Sequence, residues 1–119
     1  MSLKDKRLLL VEDNVLVAMD LADSLTVAGC RVVGPASTLD AAALLASQEA
    51  LDMAVLDVDL HGAPIWPVAE TLMSRNIPFV FLSGYGNTLA IPAAFRVYQR
   101  LTKPITSATL LRAILSLNP

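Results

Sequence analysis

The chain has a single cysteine, Cys30, which can form no internal disulfide and has no companion for a thiolate metal site. It reads as a small apolar side chain at the start of a strand. Charge is also sparse: charged residues are 17% of the 119, against 55% hydrophobic, the balance of a compact, well-buried domain. The basic residues are scattered and the net charge is −2, which argues against nucleic-acid binding by this domain. No apolar run approaches the roughly 20 residues needed to span a bilayer. Lys4, Asp5, Lys6 and Arg7 precede an apolar run of only four residues, 8–11, so no signal peptide is expected. A cytoplasmic protein without membrane contact follows. No repeat, linker or low-complexity tract interrupts the chain, and its length suits one domain spanning 1–119, with a core of about 7–117.

What is present is a series of short apolar runs alternating with helical patterns. Arg7-Leu8-Leu9-Leu10-Val11 stops abruptly at Glu12-Asp13-Asn14, a buried strand whose end carries acids. Asn14 or Asp13 caps the helix that follows, with Val15, Ala18, Met19, Ala22 and Leu25 on its inner face and Gly29 at its end. Arg31-Val32-Val33-Gly34 is a second strand, and Ser37 or Thr38 starts an Ala-rich helix through Gln48. Met53-Ala54-Val55-Leu56 is a strand buried on both faces that delivers Asp57 at its tip, with Asp59 just beyond.

After a loop at Gly62-Ala63-Pro64, the residues Ile65, Val68, Ala69, Leu72 and Met73 form a helical stripe, with Pro67 tolerated in its first turn. Pro78-Phe79-Val80-Phe81-Leu82 is a fourth strand, ending at Ser83-Gly84. Residues 87–94 are weakly periodic and interrupted by Pro92, so any helix there is short or irregular. A fifth strand is expected within 95–101, and a last helix over 106–117 with Leu110, Leu111, Ile114 and Leu117 inward. Five strands alternating with helices imply an α/β fold, a five-stranded parallel sheet covered by helices on both faces.

Strand ends would then bring together Glu12 and Asp13, Asp57 and Asp59, Ser83, and Lys103. Carboxylates crowded into a partly buried crevice need a cation, and Mg²⁺ with oxygen ligands suits them. Lys103 is a point charge for a phosphoryl oxygen and Ser83 a hydroxyl donor. A carboxylate nucleophile, a metal, a lysine and a hydroxyl are the parts of phosphoryl transfer.

In that order, Glu12-Asp13, Asp57, Ser83-Gly84 and Lys103-Pro104 resemble the receiver domain of two-component response regulators, over nearly the whole chain. The resemblance implies a flavodoxin-like, CheY-like (βα)5 fold and a phosphoacceptor at Asp57. Its phosphate would come from a phosphohistidine on a sensor histidine kinase or phosphotransfer protein. It further implies Mg²⁺ held by Glu12, Asp13, Asp57 and the backbone carbonyl of Asp59, with Ser83 following the phosphoryl group and Lys103 pairing with it. The Lys103–Pro104 bond would be cis. The implied output is a downstream partner or a homodimer through the face of the fourth helix, fifth strand and last helix. Such a domain is a signalling switch rather than an enzyme, save for its own phosphotransfer and autodephosphorylation. Phe81-Leu82-Ser83-Gly84-Tyr85 looks like a subgroup with a Phe-Ala-Thr-Gly signature here, often stand-alone proteins. The chain reads either as such a protein or as a fragment of a longer one.

Three positions depart from the family. His61 stands where Pro is common, and reads as a solvated loop side chain. Arg100 replaces the Tyr or Phe that reports phosphorylation by swinging inward, which leaves Tyr85 or Tyr98 to substitute. The weak 87–94 segment makes the output face less regular. Two other readings compete. Asp57-Val58-Asp59 also fits the Asp-x-Asp of haloacid-dehalogenase-like phosphatases, but that family carries it on an opening strand and needs a longer chain. A flavodoxin-like binding module without phosphorylation leaves the full acid, hydroxyl and lysine set unexplained.

Overall fold

The structure is a computed structural model that describes residues 2–84 and 90–117. Strand β1 (Arg7–Val11) leads to helix α1 (Val15–Val27), β2 (Arg31–Ala36), α2 (Leu39–Gln48) and β3 (Met53–Asp57). A small hairpin follows, β4 (Asp59–Leu60) with β5 (Ala63–Pro64), then α3 (Trp66–Ser74), β6 (Phe79–Ser83), a 3₁₀ turn at Ala93–Phe95, β7 (Arg100–Thr102) and α4 (Ser107–Leu115). The main sheet is parallel, in the order β2-β1-β3-β6-β7, so the chain turns back between β1 and β3. At such a reversal the connections leave in opposite directions and open a crevice at the strands' carboxyl ends.

Alternation along the strands divides the apolar residues between two cores. Leu9, Val11, Ala54, Leu56, Phe79 and Phe81 face α2 and α3, which contribute Ala42, Ala46, Val68, Ala69 and Leu72. Leu8, Leu10, Met53, Val55, Val80 and Leu82 face α1 and α4, with Leu21, Leu25, Leu110 and Ile114. Every residue of β3 and β6 is buried, so the ends of these strands are fixed by packing on both sides.

Caps and turns set where the helices begin and end. Asn14 Oδ1 accepts from the Val17 N–H at 3.1 Å, and the Thr38 and Thr106 hydroxyls accept from Ala41 N and Thr109 N. Gly29, at φ +103°, closes α1 where a Cβ would come within 3.1 Å of Lys4 Cα. At Gly34 a Cβ would lie 2.8 Å from Ala36 N and 2.9 Å from Leu10 O, so only glycine lets β2 stay this close to β1. Both Gly34–Pro35 and the expected Lys103–Pro104 are cis.

Several expectations need correction. The inner face of α1 is Ala18, Leu21 and Leu25, whereas Val15 and Met19 are 68% and 58% exposed. The helix is turned so that its 18/21/25 stripe meets the sheet, with Val15 and Met19 left on the solvent side together with Asp20 and Asp23. Met73, expected inward, is exposed at the end of the α3 stripe, and the loop at Gly62-Ala63-Pro64 is one arm of the small hairpin. The second strand runs on through Gly34 to Ala36 with an irregular register against β1. The fifth strand begins at Arg100, not Phe95. Phe95 is drawn under Trp66, whose ring stacks on it at 5.7 Å, and pairing resumes only where Gln99 O accepts from Phe81 N. Between Pro92 and β7 the chain makes the single 3₁₀ turn, in keeping with a short or irregular helix. Residues 87–89 of that segment, and Tyr85, lie outside the described residues.

Candidate phosphoacceptor and metal site

Four chain segments converge at the carboxyl ends of β1, β3, β6 and β7. Glu12 and Asp13 follow β1 directly, Asp57 is the last residue of β3, and Lys103 follows β7. Carboxylate oxygens of Glu12, Asp13 and Asp57 lie within 4.8 Å of one another. Lys103 Nζ is 2.9 Å from Asp57 Oδ2 and 2.5 Å from Glu12 Oε1. The first contact is a directed hydrogen bond; the second is a contact of charges that leaves buried Oε1 without a hydrogen bond. Backbone amides hold the carboxylates in place. Asn14 N–H donates to Glu12 Oε2 at 3.0 Å, Asp59 N–H to Asp57 Oδ1 at 3.1 Å, and His61 N–H to Asp13 Oδ2 at 2.9 Å. The Lys103 amide donates to Ser83 O at 2.8 Å, which pins the lysine's backbone to the end of β6.

The three acids sit in different environments. Burial, reinforced by the neighbouring Asp57, raises Glu12 from 4.5 to about 7, against the opposing pull of Lys103 and the Asn14 N–H. For Asp13, partial burial is outweighed by the close Glu12 carboxyl group, the hydrogen bond from the His61 N–H, the neighbouring Asp57 and the His61 ring, which together hold it below the usual value. Burial of the Lys103 ammonium is likewise outweighed by its close contacts with the Glu12 and Asp57 carboxylates and by their charges, so it titrates above its ordinary value. At neutral pH the site therefore holds an ionised Asp13, a firmly charged Lys103 and a Glu12 poised between its two forms.

A consequence for stability follows from Glu12. Between pH 4.5 and about 7 the folded chain keeps a proton that the unfolded chain releases. Stability of the metal-free protein should thus fall as pH rises through that window, by at most about 1.4 kcal/mol per unit. Glu12→Gln should flatten this dependence, and thermal unfolding from pH 5 to pH 8 with a chelator present measures it. A slope unchanged in Glu12→Gln would assign the proton elsewhere.

The remaining residues singled out from the sequence are placed as follows. Ser83 is buried at the end of β6, where its Oγ accepts from Arg100 Nη2 at 2.9 Å; no hydrogen bond joins it to Asp57. From the position where the family has Tyr or Phe, the Arg100 guanidinium reaches this hydroxyl. Tyr98 stacks on Phe79 at 4.2 Å within an aromatic cluster that includes Phe81 and Phe95. His61 is indeed solvent-exposed, but it is not merely a solvated side chain. It sits at φ +52° with Nδ1 3.4 Å from Asp13 Oδ2, a contact that loop position alone does not signal. Asp59 Oδ1 accepts from Gly62 N at 2.7 Å and closes the loop of the hairpin.

A parallel sheet in the order 2-1-3-6-7, with two acids after the first strand, a buried aspartate ending the third and a lysine after the last, defines a receiver. The chain belongs to the receiver-domain family of response regulators in two-component signalling. It is 38% identical to SdrG from Sphingomonas melonis Fr1 over 98% of both chains, with a TM-score of 0.84. A solution structure of the BeF3-activated conformation of SdrG, from Pseudomonas melonis Fr1, matches at 38% identity over 95% and 96% of the two chains, TM-score 0.77. A response regulator receiver protein from Sinorhizobium medicae WSM419 is 28% identical over 98% and 96%, TM-score 0.78. The transcriptional regulatory protein PdtaR of Mycobacterium tuberculosis is 30% identical over 112 residues, 92% of this chain and 55% of that protein. The chain thus spans about half the length of the curated relatives it matches. No family model matches it. No helix among the described residues is long and apolar enough to cross a membrane.

Proposed function

We propose that this receiver accepts a phosphoryl group on Asp57 from the phosphohistidine of a sensor histidine kinase or phosphotransfer protein, in the cytoplasm, and that residues 7–117 form the working domain. The observation that carries the reading is the Lys103 ammonium 2.9 Å from a buried Asp57 carboxylate, inside a cluster of two further acids. An Asp57 oxygen attacks phosphorus and its O–P bond forms as the donor's N–P bond breaks, the imidazole keeping the electron pair. Lys103 is positioned to neutralise charge on the transferred group, and Ser83 to donate to one of its oxygens. Three carboxylates whose oxygens lie within 4.8 Å of one another fit a hard divalent ion. Glu12, Asp13 and Asp57, with the Asp59 backbone carbonyl, would hold Mg²⁺. When bound, that ion supplies the positive charge that lets the acids and a phosphoryl group share one crevice.

The exposed apolar residues of α1 fit the donor's approach. Leu16 is 78% exposed and lines, with Val17, Leu21, Pro104 and Ile105, a cleft of about 430 Å³ whose wall includes Lys103. A helical donor seated there would bring its phosphohistidine to the crevice. Leu16→Asp should slow phosphotransfer from a cognate donor by tenfold or more, roughly the worth of a buried leucine contact. Phosphorylation by a small acyl phosphate should be unaffected, and equal slowing of both would place the donor elsewhere.

Phosphate adds roughly one to two negative charges at Asp57, drawing Ser83 and Lys103 toward it. Movement at Ser83 passes through Gly84 toward the 3₁₀ turn, and partners, or a second copy of this chain, would read the face of this turn, β7 and α4. The test of the reading is incubation with a small acyl phosphate. One phosphate per chain, added only with Mg²⁺ present, is the expected result; none under either condition overturns it.

A further inference from the structure

From the contact between Arg100 and Ser83 we infer that Arg100 is a positioning residue for the phosphorylated state, acting on the phosphoryl group through the Ser83 hydroxyl. The inference rests on the reading of Asp57 as phosphoacceptor. In the parallel pairing of β6 with β7, Arg100 lies opposite Phe81. Opposed residues share a face of the sheet, and so does the residue two further along, Ser83. The arginine therefore needs only to lean along the strand to reach the hydroxyl, and its Nη2 donates to Ser83 Oγ at 2.9 Å. Ser83 is 3% exposed, so the bond is largely shielded from water.

The direction of this hydrogen bond matters. A serine hydroxyl has one proton to give and two lone pairs to accept with, while a guanidinium can only donate. Arg100 thus occupies a lone pair and leaves the Ser83 proton for another acceptor. In the unphosphorylated protein that acceptor is Gly84 O, at a long 3.3 Å. A phosphoryl oxygen on Asp57, the residue ending the adjacent strand β3, is a far stronger acceptor. Donation from a cation into Oγ also polarises the O–H bond, because hydrogen bonds in a chain strengthen one another. Arg100 therefore orients the proton outward from itself and makes it a better donor. A phenylalanine at this position can do neither, and a tyrosine hydroxyl can donate but brings no charge to the bond.

Beryllium fluoride with Mg²⁺, which imitates an aspartyl phosphate, provides the probe, and the single Trp66 provides the signal, since its ring contacts Phe81 two residues before Ser83. Arg100→Met should weaken beryllofluoride binding about tenfold, the worth of a charge-assisted hydrogen bond. Arg100→Lys should recover part of the loss. In a Ser83→Ala background, Arg100→Met should change the affinity less than about twofold, because the bond it acts through is already gone. Mg²⁺ affinity without fluoride should stay the same in every Arg100 variant, which a general loss of structure would not allow. Unchanged or tighter beryllofluoride binding in Arg100→Met overturns the inference. So does an equal loss with and without Ser83, which would reduce Arg100 to a distant charge. Should Arg100→Met fail to fold, Arg100→Leu, which likewise has no donor, is read in the same cycle. A wild-type protein that binds no beryllofluoride overturns instead the reading of Asp57, with Mg²⁺ binding as the check that the protein is intact.

Discussion

Asp57→Asn is expected to abolish Mg²⁺-dependent phosphate incorporation while leaving the protein folded. The amide keeps the shape of the carboxylate but lacks the nucleophilic oxygen, and it ends the ion pair with Lys103. Stability should not fall far, because Asp57 is one of the groups that raises Glu12. Without it, Glu12 ionises more readily and takes over the ammonium that already lies against its Oε1. Intact mass after treatment with an acyl phosphate reads the chemistry, and thermal unfolding reads the fold. Phosphate on folded Asp57→Asn at the wild-type level would contradict the assignment.

The second large effect is expected at Asp13. Replacing it by Asn should lower Mg²⁺ affinity at neutral pH by at least about tenfold, since even outer-shell partners of a metal ligand are worth 10–100-fold. Glu12→Gln should cost less. Asp13 is held below the usual carboxylate value, whereas Glu12 is raised to about 7, so Asp13 is the more readily ionised ligand at neutral pH. The Asn side chain can still accept from the His61 N–H, so the loop geometry should survive the change. Mg²⁺ titration followed by Trp66 fluorescence measures both variants. A Glu12→Gln defect larger than that of Asp13→Asn would reverse the roles assigned to these acids.

Much of the site was legible because its residues sit at abrupt boundaries. Leu8-Leu9-Leu10-Val11 breaking into Glu12-Asp13, and Ala54-Val55-Leu56 breaking into Asp57, are apolar runs too short for helices that end in charge. Parallel topology does the rest, since it collects the carboxyl ends of strands in one crevice. Lys103-Pro104 follows a strand that is far less apolar, and it was legible as the close of that strand and by its resemblance to the family. The contacts that join one strand to its neighbour were not. That Arg100 reaches Ser83 depends on β7 pairing Arg100 with Phe81, a register no local pattern encodes, and on a strand of only three residues beginning five positions after Phe95. The burial of Phe95 under Trp66, from a different helix, is what removes it from that strand. The covered side of α1 is decided for a related reason: apolar residues also flank Asp20 and Asp23, and contact with the sheet selects Ala18, Leu21 and Leu25 over Val15 and Met19. The contact of His61 with Asp13 likewise joins residues 48 apart in sequence.

Locating the phosphate tests the account most directly. Wild-type protein treated with Mg²⁺ and a small acyl phosphate, then digested and sequenced by mass spectrometry under conditions that preserve or reductively trap acyl phosphates, should carry the modification on Asp57 alone. A phosphate found on Asp13, Asp59, Ser83 or His61 with Asp57 unmodified would contradict it.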